Sequence, residues 1–110
     1  MKLAVIGSRE IKNFKLSEII PEDVDEIVSG GADGIDTLAE EFAESKGIKV
    51  TEFLPEYDKY GRAAPIVRNK KIVEYADEVY ALWDGNSKGT KFVIDYCKKR
   101  NKKCRVFLIE

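Results

Sequence analysis

Residues 26–47 read Glu26-Ile27-Val28-Ser29-Gly30-Gly31-Ala32-Asp33-Gly34-Ile35-Asp36-Thr37-Leu38-Ala39-Glu40-Glu41-Phe42-Ala43-Glu44-Ser45-Lys46-Gly47. A short apolar run passes through a glycine-rich turn directly into a helix. Ile35, Leu38, Ala39, Phe42 and Ala43 fall at i, i+3, i+4, i+7 and i+8, which makes one apolar stripe. Asp33 is the expected N-cap. Asp36 falls in the first turn, where a carboxylate suits the helix dipole, and Gly47 supplies the stop. A strand that runs through glycines into a helix is the repeating step of an α/β fold.

The same step recurs on either side. Residues 2–6 form a nearly continuous apolar run, as a strand buried on both faces would, and Gly7-Ser8-Arg9 ends it. Between this strand and residue 26, Leu16, Ile19 and Ile20 offer about one helical turn before Pro21, so the connection reads mostly as loop. Past Gly47, residues 48–54 predict a third strand closed by Pro55, with partial alternation that leaves one face less buried. Residues 57–64 read as a loop containing Gly61, followed by a helix over 65–76 with Pro65 at its first position. Residues 78–83 are a fourth strand, broken by Asp84-Gly85-Asn86-Ser87. Gly89-Thr90 then opens a helix that carries Val93, Ile94 and Cys97 inward, and residues 104–109 are a fifth strand. This alternation predicts one Rossmann-like, three-layer α/β domain over residues 1–110, with a five-stranded, mainly parallel sheet.

Composition narrows the function classes. The 110 residues carry 19 Lys plus Arg against 20 Asp plus Glu, a net charge of −1, which argues against nucleic acid as the partner. No apolar run approaches the roughly 20 residues needed to span a bilayer, and the apolar start is too short for a signal peptide. A cytoplasmic protein without a membrane partner is expected. The chain has no His, which excludes Ser-His-Asp and Cys-His nucleophile systems and His-ligated metals. No tightly bound metal is expected, and no cofactor is assigned. Cys97 and Cys104 lack the CxxC spacing of a zinc or redox site and are expected to be buried, reduced thiols.

In an open parallel sheet, ligands bind beyond the carboxyl ends of the strands, where the winding reverses. Three glycine-bearing turns belong to that edge: Gly7-Ser8-Arg9, Ser29-Gly30-Gly31-Ala32-Asp33-Gly34 and Asp84-Gly85-Asn86-Ser87-Lys88-Gly89-Thr90. Glycines there admit a phosphate close to the backbone, and the N–H groups at the next helix start can hold it. Neither GxGxxG after the first strand nor GxxxxGK[ST] occurs, which sets aside the dinucleotide fingerprint and the ATPase P-loop. Residues 17–58 contain 13 acidic and 2 basic residues, and residues 61–110 contain 6 acidic and 12 basic, so the cations lie in the second half. Of these, Lys98, Lys99, Arg100, Lys102 and Lys103 lie near a helix end and read as complements to its dipole.

At these residues the chain resembles the SLOG superfamily, which joins DNA-processing protein A and the Lonely Guy proteins, and within it the small stand-alone YspA/YpsA-related members. The matching pieces run in order along the chain: Gly7-Ser8-Arg9, the string from Ser29 to Asp36, Tyr60-Gly61 with Ala63-Ala64, Arg68-Asn69, Ala76-Asp77, and Trp83-Asp84-Gly85 with Ser87-Lys88-Gly89-Thr90. The resemblance implies a Rossmann-like fold that binds nucleotides or nucleotide-derived ligands, often as a homo-oligomer. It implies that Gly7, Ser8 and Arg9 line a first loop, Gly30, Gly31 and Asp36 a second, and Gly89 and Thr90 a phosphate loop. Arg68 and Asn69 would reach in from the helix after the third strand. The chain departs from the Lonely Guy pattern, whose Pro-Gly-Gly-x-Gly-Thr loop is followed closely by a catalytic Glu, since Lys91-Phe92-Val93 follows Thr90 here.

Three functions follow as expectations. The first is a nucleotide-binding sensor or accessory protein in which Arg9, Ser29, Gly30, Gly31 and Thr90 hold phosphate and Asp36 or Asp84 meets ribose hydroxyls, with Gly85 and Ser87 in the same turn. The second is an enzyme that hydrolyses an N-glycosidic or phosphoester bond, with Asp36 and Asp84 as the catalytic candidates. The third is single-stranded nucleic-acid binding through Tyr57, Tyr60 and Trp83.

Overall fold

Leu3, Ala4, Val5 and Ile6 are all buried, and the strand they form, β1 (Lys2–Gly7), is the centre of the sheet. A computed structural model describes all 110 residues. β1 pairs in parallel with β2 (Glu26–Ser29) on one side and β4 (Glu78–Trp83) on the other, with Leu3 opposite both Ile27 and Glu78. β3 (Lys49–Glu52) and β5 (Cys104–Leu108) form the edges, giving the order β3-β2-β1-β4-β5 with every pair parallel. The sheet is therefore all-parallel, and its winding reverses between β1 and β4.

Strand alternation sends side chains to two cores. On one face Leu3, Val5, Ile27 and Leu82 pack under α1 (Ile35–Lys46), joined by Ile11, Leu16, Ile20 and Val24 from the connection between β1 and β2. That connection holds one 3-10 turn, Leu16–Glu18, and is otherwise loop, as the sequence predicts. On the other face Ala4, Ile6, Val28, Val79 and Ala81 pack under α3 (Ala64–Tyr75) and α4 (Lys88–Lys99), which contribute Ile72, Val73, Val93, Ile94 and Cys97. The result is the three-layer Rossmann-like α/β fold. No helix is long and apolar enough to cross a membrane.

Several boundaries differ from the sequence expectation for local reasons. Asp33 is not the N-cap of α1. That position belongs to Gly34, at φ 76° and ψ −125°, a backbone geometry in which an aspartate would be strained. A Cβ there would also lie 2.7 Å from the Ser8 carbonyl oxygen, so the helix start is set by contact with the turn after β1. The expected loop over residues 57–64 holds a one-turn helix, α2 (Tyr57–Tyr60), and a 3-10 turn (Gly61–Ala63), both too short to show a periodicity. Pro65 is the second residue of α3. β3 is confined to four residues of an exposed edge.

α4 begins at Lys88, one residue before the glycine expected to open it, because Ser87 caps it. The Ser87 hydroxyl oxygen accepts from the Thr90 N–H at 3.3 Å. Replacing Ser87 with Ala should cost about 1 kcal/mol, measured by denaturant unfolding, because the Thr90 amide loses its acceptor in a half-buried turn. Unchanged stability would mean that water replaces the cap.

Candidate functional site

Beyond the carboxyl ends of β1 and β4, at the point where the winding reverses, lies a cavity of about 450 Å³. Gly7, Ser8 and Arg9 leave β1 along one wall, Asp36 enters from the first turn of α1, Arg68 and Asn69 come from α3, and Asp84, Ser87, Gly89 and Thr90 come from the turn that starts α4. These ten expected residues share one cavity. Ser29, Gly30, Gly31 and Gly85 do not line it. Glu10, Asn86 and Pro65 line it too and escape the sequence reading; their only signal is adjacency to the expected turns.

The turn after β1 is locked to the turn after β4. Ser8 is fully buried; its N–H donates to the Leu82 carbonyl at 3.1 Å and its hydroxyl oxygen accepts from the Asp84 N–H at 3.2 Å. The Asp84 carboxylate folds back on its own turn, accepting from the Asn86 and Ser87 N–H groups at 2.8 and 2.9 Å. Those bonds hold its pKa below the usual carboxylate range, so Asp84 is an ionised turn-former. With the Ser87 N–H given to Asp84 and the Thr90 N–H given to Ser87, the N–H groups of Lys88 and Gly89 remain as the first-turn donors of a twelve-residue helix with no acceptor in the chain.

Ser29, Gly30 and Gly31 support the site from behind. The Ser29 hydroxyl is spent, donating to Glu40 Oε2 at 2.9 Å and accepting from the Gly31 N–H at 3.1 Å. The Gly30 carbonyl accepts from Arg68 Nη1 at 2.7 Å and thereby fixes the guanidinium. Arg68 is only 9% exposed and lines the cavity, yet its Nε has no hydrogen-bond partner. Burial holds its pKa below the ordinary arginine value, Asp36 counteracts this, and Arg9 adds to it. No ion pair closes on Arg68. An unsatisfied guanidinium nitrogen in a buried wall is costly, and the unpaired charge of the group favours an anion in the cavity beside it.

Asp36 is the opposite case to Asp84. Burial pushes its carboxyl up to about 6, against the Ala32 N–H that donates to Oδ2 at 3.2 Å and the more distant Arg68 charge. The proton is held more tightly in the folded chain than in the unfolded one. Stability from this group is therefore full below the unfolded value near pH 4 and is lost as pH rises towards 6. Asn at position 36 keeps an acceptor for Ala32 and removes the titration. Denaturant unfolding of Asp36→Asn from pH 4 to 8 should show a variant roughly 1 to 3 kcal/mol more stable than the parent at pH 7, with the gap closing by pH 4. A gap independent of pH would contradict this account.

The lining thus offers two arginines and the free helix amide of Gly89, together with the carboxylates Asp36, Asp84 and Glu10. It suits a ligand that carries both anionic oxygens and hydroxyl or amino donors. No three acidic or thiol side chains are arranged to hold a metal ion. The three aromatics of the nucleic-acid reading do not line the cavity: Tyr57 is exposed on α2, the Tyr60 ring lies under Lys59 and Lys71, and the Trp83 indole N–H donates to the Ser87 carbonyl.

Comparison of the chain with protein-family models, curated proteins and solved structures gives no match. Fold and site together define a Rossmann-like α/β domain with a polar crevice at its switch point.

Proposed function

We infer that the chain is a cytoplasmic nucleotide-binding protein, a sensor or accessory protein of the SLOG kind that works as a homo-oligomer, and that this cavity takes a nucleotide or nucleotide derivative. The observation that carries the reading is Arg68: a buried guanidinium that no carboxylate pairs, lining the same cavity as the free Gly89 amide in the first turn of α4. A phosphate between them would supply acceptors to both. The carboxylates around it would repel a bare phosphate but accept hydrogen bonds from ribose hydroxyls or a base amino group. A volume of about 450 Å³ lies in the range of small-molecule sites.

The test is thermal unfolding with a panel of nucleoside mono- and diphosphates, dinucleotides and ADP-ribose, with inorganic phosphate as control. A ligand at 100 times its Kd should stabilise the chain by about 2.7 kcal/mol. No shift with any member overturns the reading.

One observation favours a hydrolytic reading of the same cavity: Asp36, with its carboxyl pushed to about 6, lies where a general acid could act near neutral pH. Asp84 is ionised and serves its turn, so it does not fill that role. Product analysis after incubation with nucleoside monophosphates, repeated with Asp36→Asn, separates turnover from binding. Turnover that survives the substitution removes Asp36 from the chemistry.

A further inference from the structure

Far from the cavity, at the other end of α4, the fold brings the two cysteines together. Six residues separate them in the sequence, a spacing that suggests no partnership. After Lys99 the chain turns back sharply. Arg100 N–H donates to the Tyr96 carbonyl, Asn101 takes a left-handed φ of 56°, and Lys102 N–H donates to the Cys97 carbonyl at 2.8 Å. This reversal sets the first residue of β5, Cys104, against the core cluster that contains Cys97. Cys104 thus packs against the same buried cluster as Cys97, and both cysteines are free.

The two thiols are not equivalent. Cys97 is fully buried, whereas Cys104, contrary to the expectation that both would be buried, is partly exposed. Lys98 at the end of α4 and Lys102 in the turn face the pair, while Glu78 of β4, partly neutralised by Lys103, faces Cys104 from the neighbouring strand. The neighbouring Cys97 thiol and the Lys98 charge hold the Cys104 thiol below its ordinary pKa, and the neighbouring Cys104, then burial, push Cys97 up. A partly exposed cysteine that ionises first, packed against the cluster that holds a second thiol, is the arrangement of an oxidisable cysteine with its resolving partner.

We propose that Cys104 and Cys97 form a reversible oxidation site, in which Cys104 reacts with a peroxide and Cys97 closes an intramolecular disulfide across the α4–β5 turn. The Cys104 thiolate attacks one peroxide oxygen and breaks the O–O bond, giving the sulfenic acid and hydroxide. Cys97 sulfur then attacks the sulfenyl sulfur, the S–O bond breaks, and the departing hydroxide leaves as water with the Cys97 proton. Two thiols and one hydrogen peroxide thus become one disulfide and two waters, with both electrons going to the peroxide. A thiol reductant reverses the change by exchange.

The test uses the intact chain treated with hydrogen peroxide, then blocked with an alkylating reagent and digested with trypsin. Lys91, Lys98, Lys103 and Arg105 are cleavage points, so Cys97 and Cys104 fall on separate peptides, Phe92–Lys98 and Cys104–Arg105, that only a disulfide can join. The expected result is that joined species, lighter by two hydrogens than the sum of the two peptides and separated by dithiothreitol. Cys97→Ser should instead leave Cys104 as a sulfenic acid that a 1,3-diketone traps. Cys104→Ser should leave Cys97 unmodified under the same dose. Two alkylated, unjoined cysteines in the parent chain at a dose that oxidises glutathione would overturn the proposal, as would a joined species found only between two chains.

Discussion

Gly7→Val is expected to destabilise the fold by about 3 kcal/mol or more, and to leave little folded protein at 37 °C. A Cβ at this position would lie 2.5 Å from the Leu82 carbonyl oxygen and 2.6 Å from Ile35 Cγ1. Neither neighbour can retreat. Leu82 is paired with Gly7 in the β1–β4 register, and its carbonyl accepts the Ser8 N–H; Ile35 is fully buried at the first turn of α1. The glycine therefore sets how closely α1 approaches the centre of the sheet and, through Ser8, where the turn after β1 meets the turn after β4. Urea unfolding measures the loss. A valine variant within about 1 kcal/mol of the parent would mean that α1 is free to shift, and that the cavity wall is not fixed by this contact.

Arg68→Met is expected to behave in the opposite way, with stability nearly kept and ligand affinity lost. Methionine fills the space of the aliphatic stem and removes a buried charge whose Nε has no partner, against the loss of one hydrogen bond to the Gly30 carbonyl. These terms oppose each other, so the variant should lie within about 1 kcal/mol of the parent in stability. Affinity for the nucleotide that stabilises the parent should fall roughly 10- to 100-fold, since hydrogen bonds to charged groups contribute about 1.5 to 3 kcal/mol. A variant that unfolds, with affinity per folded molecule unchanged, would make Arg68 a structural residue. The two substitutions separate what builds the cavity from what the cavity is for.

The fold was legible because each helix and strand announces itself locally. The stripe from Ile35 to Ala43, the unbroken run from Leu3 to Ile6 and the glycine turns between them require no long-range information. Helix starts were less legible because contacts distant in sequence decide them: Gly34 rather than Asp33 begins α1, since that backbone packs on the carbonyls of Ser8 and Arg9. The same holds at the site. The sequence placed three turns at one edge, and all three meet the cavity, through Gly7, Ser8 and Arg9, through Ala32, and through Asp84, Ser87, Gly89 and Thr90. It could not reveal that the hydroxyl of Ser29 is taken by Glu40 and Gly31, or that the carbonyl of Gly30 holds an arginine 38 residues away.

Asp84 and Asp36 show the same limit from another side. By residue type the two carboxylates were equal candidates. Backbone donors two and three residues on depress one pKa, and burial raises the other. The first cause has a sequence signal, an aspartate opening a Gly-Asn-Ser turn. The second depends on the walls of the finished cavity. The pairing of Cys97 with Cys104 is likewise a product of the turn at Asn101, which no motif spacing reports.

Titration of isotope-labelled protein with the stabilising nucleotide, followed by amide and guanidinium NMR signals, reads the central claim at the atoms concerned. The expected result is saturable movement of the Lys88 and Gly89 amides and of Arg68 Nε–H at a single affinity, lost in Arg68→Met. Movement confined to the basic segment over residues 98–103, or none at millimolar ligand, would contradict it.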